Sequence, residues 1–74
     1  MNKPNIYKFT YTCNKELLRK KYFSCQNVDT AIIQFKAGME HKHYEPENIQ
    51  IYECPGGGHT WTLVFSAPKL TDVV

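Results

Sequence analysis

Glu40, His41, His43 and Glu45 crowd into one short stretch, and Cys54 precedes His59 by five residues. Carboxylate, imidazole and thiolate are the side chains that hold transition metals. Zinc, however, takes four ligands, usually from paired positions at set spacings. The chain has no Cys-x-x-Cys and no pair of histidines at i and i+4. His41 and His43 alternate, as they would on a strand, while the pattern around them predicts the end of a helix. The cluster reads as a polar loop, and no metal site is expected. Cys25 is the best placed of three cysteines for thiol chemistry. It lies two residues before a helix cap and near Lys21. A helix N-terminus and a cation both favour the thiolate. No partner base accompanies it, so burial is the expectation for Cys25 and for Cys13 and Cys54. Pro55-Gly56-Gly57-Gly58-His59 has the glycines of a phosphate loop. Such a loop must open a helix, whose N–H groups complete the cradle. Thr60-Trp61-Thr62-Leu63-Val64-Phe65 follows instead, which is strand-like, so the glycines predict a hairpin turn. With no paired carboxylates and no nucleophile beside a base, the expectation is a protein that is not an enzyme. No catalytic residue and no cofactor are assigned.

What remains is surface chemistry. The chain of 74 residues carries nine Lys and Arg against seven Asp and Glu, a net charge of +2. That value conceals a division. Residues 1–21 hold Lys3, Lys8, Lys15, Arg19, Lys20 and Lys21 against Glu16, a local +5. Residues 22–74 hold Lys36, Lys42 and Lys69 against Asp29, Glu40, Glu45, Glu47, Glu53 and Asp72, a local −3. Lysines beside tyrosines suit nucleic acid, because rings stack bases while ammonium groups neutralise phosphates.

These groups need elements to position them. Residues 6–13 alternate, with Tyr7, Phe9, Tyr11 and Cys13 on one face, which predicts a half-buried strand. Asn14-Lys15-Glu16 has turn chemistry, and a second strand is expected over residues 18–25. Asn27 is a good N-cap. Val28, Ala31, Ile32, Phe35 and Met39 then recur as one helix face, ending near His41 or Lys42 before Pro46. A third strand is expected over residues 48–54. A fourth follows over residues 60–65, with Trp61, Leu63 and Phe65 on one side. Pro68 should stop it and leave residues 67–74 as a flexible tail. The order β-β-α-β-β predicts one α+β domain. It is a four-stranded antiparallel sheet in the order 2-1-3-4 with a helix on one face. A domain this small buries only about 60% of its unfolded surface, so the uncovered sheet face must be wet, self-associating or a binding surface.

The run Lys21-Tyr22-Phe23-Ser24-Cys25-Gln26-Asn27-Val28-Asp29-Thr30-Ala31 is followed by Gly38, His41 and Asn48-Ile49-Gln50-Ile51. Over residues 6–54 this resembles the archaeal ribosomal protein LX family. The resemblance implies a strand leading into a capped helix and back into a strand, and it carries no functional residue across. The chain is also similar in style to small phage-encoded proteins of unassigned role, which implies a protein that modulates a host protein.

The functional expectation is a small non-enzymatic protein acting by stoichiometric association with a macromolecular partner. A protein partner or a second copy would pair with the fourth strand at Thr60, Thr62 and Val64, where no Lys, Glu or Pro guards the edge. The alternative is an RNA- or DNA-binding module using Lys8, Arg19, Lys20, Lys21 and Tyr22. An odd cysteine number argues against a secreted disulfide framework. Nothing in the chain reaches the roughly 18 apolar residues of a membrane span, and the N-terminus lacks the apolar core of a secretory signal. A cytoplasmic protein with no membrane contact is the corresponding expectation.

Overall fold

The computed structural model describes residues 3–13 and 17–73. Four strands and one helix follow in the order β1 (Asn5–Cys13), β2 (Arg19–Cys25), α1 (Val28–His41), β3 (Pro46–Cys54) and β4 (Thr62–Lys69). A 3-10 turn, Leu70–Asp72, closes the chain. The sheet order is β2-β1-β3-β4, antiparallel throughout. This is the α+β arrangement that the alternation and the crossover predict. The Asn14-Lys15-Glu16 turn lies outside the described residues.

Alternation along β1 decides what is inside. Tyr7, Phe9, Tyr11 and Cys13 are buried beneath α1. Phe35 projects from the helix onto Phe9, with ring centroids 4.5 Å apart and an interplanar angle of 25°. Phe23 meets Phe9 edge-on at 5.3 Å, and Tyr11 meets Phe35 edge-on at the same separation. Offset and edge-on pairs of this kind add about 0.5–1.5 kcal/mol each beyond area burial. Ala31, Ile32 and Met39 complete the buried helix stripe, and Ile33, off that stripe, is exposed.

The helix ends are closed by local hydrogen bonds. Asn27 is extended, and its Oδ1 accepts from the Thr30 N–H at 2.9 Å, satisfying one orphan donor of the first turn. At the other end the His43 N–H donates to Glu40 O and the Tyr44 N–H donates to Met39 O. His43 stands at φ 57°. This is a Schellman cap with histidine in the left-handed position that glycine usually takes. Gly38 stays within the helix and does not end it.

Two bulges shift the sheet's phase. Thr10 pairs with Gln50 and Thr12 with Glu47, so β3 holds one residue more than β1 there. Asn48, at φ 52°, absorbs the extra residue, and Asn tolerates that conformation better than most side chains. Pro46 thereby reaches the core opposite Cys13, and the strand starts at Pro46 instead of residue 48. In β4, Ile51 pairs with Phe65 but Tyr52 pairs with Leu63, leaving Val64 as the bulged residue. Phe65 therefore faces the helix side with Ile51, and Leu63 faces the opposite side with Tyr52. The expected grouping of Trp61, Leu63 and Phe65 on one side is corrected accordingly. The chain's alternation breaks at an extra residue that period-two counting does not detect.

The strand also runs beyond its expected end. Pro68 lies on an edge strand, where its missing N–H breaks no ladder bond. Ala67 pairs with Ile49 and is buried. The 3-10 turn then packs against β3 and β4. Val73 is only 1% exposed, and its carbonyl accepts from Lys36 Nζ at 3.1 Å. Residues 67–73 are therefore part of the fold and not a flexible tail. One helix cannot cover four strands, and the terminal segment buries the apolar surface that it leaves.

Two outcomes follow. Truncation after Lys69 removes the Val73 and Leu70 contacts and should lower stability by about 2–4 kcal/mol in urea melts, in the range of losing one or two buried aliphatic side chains; a frayed tail would cost nothing. His43→Gly removes the strain of a left-handed β-carbon and should stabilise the chain by up to about 1 kcal/mol.

Candidate functional site

The sheet face turned away from α1 is read row by row from the strand pairing. Tyr22, Lys8, Tyr52 and Leu63 are direct neighbours across all four strands. Lys20, Thr10, Gln50 and Ser66 form the next row, and Ser24, Ile6 and Cys54 the row on the other side. Among the described residues no second layer covers this face. Tyr22 is 58% exposed, Leu63 50% and Trp61 37%.

Trp61 is not in a strand. Seven residues separate β3 from β4, so the expected tight hairpin is a longer loop. Gly57 has φ 80° and the Gly58 N–H donates to Pro55 O at 2.8 Å, the marks of a type II turn. The loop is tied down from both sides. Asn5 Oδ1 accepts from the Gly56 N–H at 3.1 Å, and the Cys54 thiol donates to Gly58 O at 3.3 Å. A β-carbon on Gly56 would collide with the backbone carbonyl of Lys3. Glycine is needed there for close approach and at Gly57 for its dihedral. After the turn the chain lays Trp61 back across the sheet.

Lys8 is the centre of the resulting cluster. Its Nζ lies 4.8 Å from the centroid of the Tyr52 ring and 4.9 Å from that of Trp61. The Tyr22 and Trp61 centroids are 6.2 Å apart, tilted by 56°. Cation–π contacts of this geometry contribute about 0.5–1 kcal/mol when exposed and about 2 when desolvated. The Tyr52 hydroxyl donates to Gln50 Oε1 at 2.9 Å and joins this row to the next. An ammonium, two phenols and an indole thus share one surface, rigid at its base because three of them stand on strands.

The residues singled out from the sequence divide between two faces. Lys8, Lys20 and Tyr22 share the open face. Arg19 and Lys21 alternate with them and turn to the helix side, opposite Tyr11 and Phe9. The Arg19 guanidinium lies 5.8 Å from the Tyr44 ring centroid. Lys21 Nζ approaches the helix at Gly38, and its ammonium is disfavoured by burial and by Lys42 beside it, so its pKa is lowered. The basic hairpin is therefore two half-sites and not one patch. Of the edge residues, Thr62 lies in β4, Val64 is its bulge, and Thr60 lies in the loop before it. Trp61 was not among the expected nucleic-acid contacts, and no periodicity in the sequence marks its return across the sheet.

The other candidates are placed as follows. Glu40, His41, His43 and Glu45 are exposed around the helix end, and no three metal-ligating side chains converge among the described residues. Cys13, Cys25 and Cys54 are free and buried, and the Cys25 thiol donates to Gln34 Oε1 at 3.6 Å. Beneath the Gly-rich loop, the Tyr7 hydroxyl donates to Glu53 Oε2 at 2.8 Å and accepts from Asn5 Nδ2. No described helix is long and apolar enough to cross a membrane. Comparison with protein-family models, curated proteins and solved structures finds no match.

Burial, followed by the Glu53 carboxylate, raises the Tyr7 pKa against the Asn5 hydrogen bond, and burial raises that of Tyr11. The folded chain therefore keeps these protons after the unfolded chain has released them. Their contribution to stability is complete below pH 10, the ordinary tyrosine value, and is lost as pH rises through the folded values. Lys21 acts with the opposite sign, since its disfavoured charge is relieved as pH approaches the ordinary 10.5. Urea melts across this alkaline range should show a falling limb that is shallower in Tyr7→Phe, whose hydroxyl proton is absent.

Proposed function

We propose that the protein is a small non-enzymatic binding module that associates stoichiometrically with a macromolecular partner through the open face of its sheet. The observation that carries this reading is the row Tyr22–Lys8–Tyr52–Leu63 with Trp61 laid over it, exposed on a face that no helix covers. Exposed aromatic and apolar groups held in one patch mark an interaction surface more often than chance. The groups gathered there recognise and stack, and they include no nucleophile paired with a base. Three free thiols suit a reducing compartment, and on that ground we place the protein in the cytoplasm. An inhibitory protein of a phage or mobile element, acting on a host protein, is one form of this reading.

Association through the β4 edge with a second copy or another protein is the lesser reading. The stretch available for pairing is shortened by the Val64 bulge and closed at its far end by Pro68 and Lys69, which are the devices that block edge pairing.

Pull-down from lysate of the source cells tests both, with and without nuclease. Wild type and Val64→Lys should retain a partner in fixed ratio, and Tyr22→Ser/Trp61→Ser should lose it while melting at the wild-type temperature. Retention by the double variant overturns the open face as the surface, and loss by Val64→Lys alone moves the site to the edge.

A further inference from the structure

From the composition of the open face we infer that its occupant is a single-stranded nucleic acid, whose bases stack on Tyr22 and Trp61 and whose phosphates meet Lys8 and Lys20. The inference rests on the reading of that face as the binding surface, and it adds the chemical class of the partner.

Charge is the first argument. The three rows contain eleven positions, among them Lys8 and Lys20 and no carboxylate. Asp29 and Glu40 lie on the helix, and Glu53 is held at Tyr7 on the helix side of the sheet. The row beyond, Thr12, Glu47 and Lys69, adds one carboxylate and one ammonium, so the face keeps a net positive charge although residues 22–74 are −3 overall.

The second argument is the position of Lys8. Its ammonium already occupies the faces of Tyr52 and Trp61. Three rings around an empty centre would suit a cationic guest. Here Lys8 already fills the faces of two of the rings and repels a cationic guest, so lysine- and arginine-rich partners are disfavoured. A ligand that is both anionic and aromatic satisfies both features. Nucleic acid has that combination along its whole length, whereas an acidic protein surface supplies only the charge.

The third argument selects single strands. Ring faces bind bases only when those bases are unstacked, and duplex bases are not. The rings stand on or over a four-stranded sheet whose open face is uncovered, so a splayed strand can lie across it. Tyr22 and Trp61, 6.2 Å apart and tilted, offer two separate stacking positions instead of one sandwich. The exposed Gln50 amide and Ser66 hydroxyl in the adjoining row provide hydrogen-bond partners for base edges or for a ribose 2′-hydroxyl.

The test is fluorescence anisotropy with labelled oligouridine and oligothymidine of about 12 nucleotides, within the usual span of such sites. Trp61 is the chain's one tryptophan, and its emission should be quenched on binding. Two phosphate contacts predict a slope of log K against log salt of about −1.4, reduced by about 0.7 in Lys20→Gln. Trp61→Ala should weaken binding between about 5-fold and about 150-fold; Tyr22→Ser, at a more exposed position, provides a second variant if the first alters folding. Tighter binding of oligouridine than of its DNA counterpart assigns RNA, and the reverse assigns DNA. Equal binding of a duplex, or polyaspartate binding that is indifferent to Trp61→Ala, overturns the inference in favour of a plain anionic surface. No oligonucleotide binding at low salt overturns it as well. If a nuclease-resistant partner is nevertheless lost with Tyr22→Ser/Trp61→Ser, the open face stands as a protein-binding surface; if neither occurs, both readings fall.

Discussion

The stacking of Phe35 on Phe9 is the contact on which the remaining structure depends. It joins the middle of helix α1 to the middle of the central strand β1, with both rings fully buried. Phe23 and Tyr11 pack edge-on around the pair, so β1 and β2 are held under the helix together. In a pleated strand this settles far more than the core. Once Phe9 faces inward, Lys8 and Thr10 must face outward, and the register carries that choice across to Tyr22, Lys20, Tyr52 and Gln50. The open face is the reverse side of the core, produced by the same alternation.

A single helix leaves part of the inner sheet surface uncovered, and the chain solves this with its own C-terminal segment. Val73, Leu70 and Ala67 close the side that the helix does not reach, and Lys36 ties the segment to the helix through the Val73 carbonyl. The two bulges serve the same end. Asn48 brings Pro46 into the core, and Val64 turns Phe65 inward while Leu63 is left on the open face. Each bulge trades one ladder position for a change of facing. The open face therefore gains an exposed leucine at its edge because the core gains a phenylalanine.

The loop after β3 completes the surface. Asn5 links it to the start of β1, and Gly56 permits the approach of Lys3 to within contact. Trp61 then comes to rest over Lys8, and the two orient each other. A lysine held between rings loses freedom but keeps its charge at the surface. The resulting group has directional faces as well as attraction for anions, which a solvated lysine lacks.

Much of this was legible in the amino-acid order. Alternation from Tyr7 to Cys13, the spacing of Ala31, Ile32, Phe35 and Met39, and the Asn27 cap each reflect a local physical preference. Local preferences survive into the fold when the core agrees with them. The strand order followed from connection lengths and handedness. What the sequence could not determine depended on neighbours distant along the chain. Bulges at Asn48 and Val64 arise from pairing between strands and leave no mark in a single strand's period. The docking of Val73 required the gap left by one helix over four strands. The site divided in the same way. Lys8, Lys20 and Tyr22 could be named from residue type, but Arg19 and Lys21 had to be separated from them by the sheet. Trp61 joined them only because a loop fixed by Asn5 and Gly56 returns it across that sheet. The sequence determined which side chains are present, because residue type is local, and the tertiary structure decided which of them share a face, because strand pairing is not.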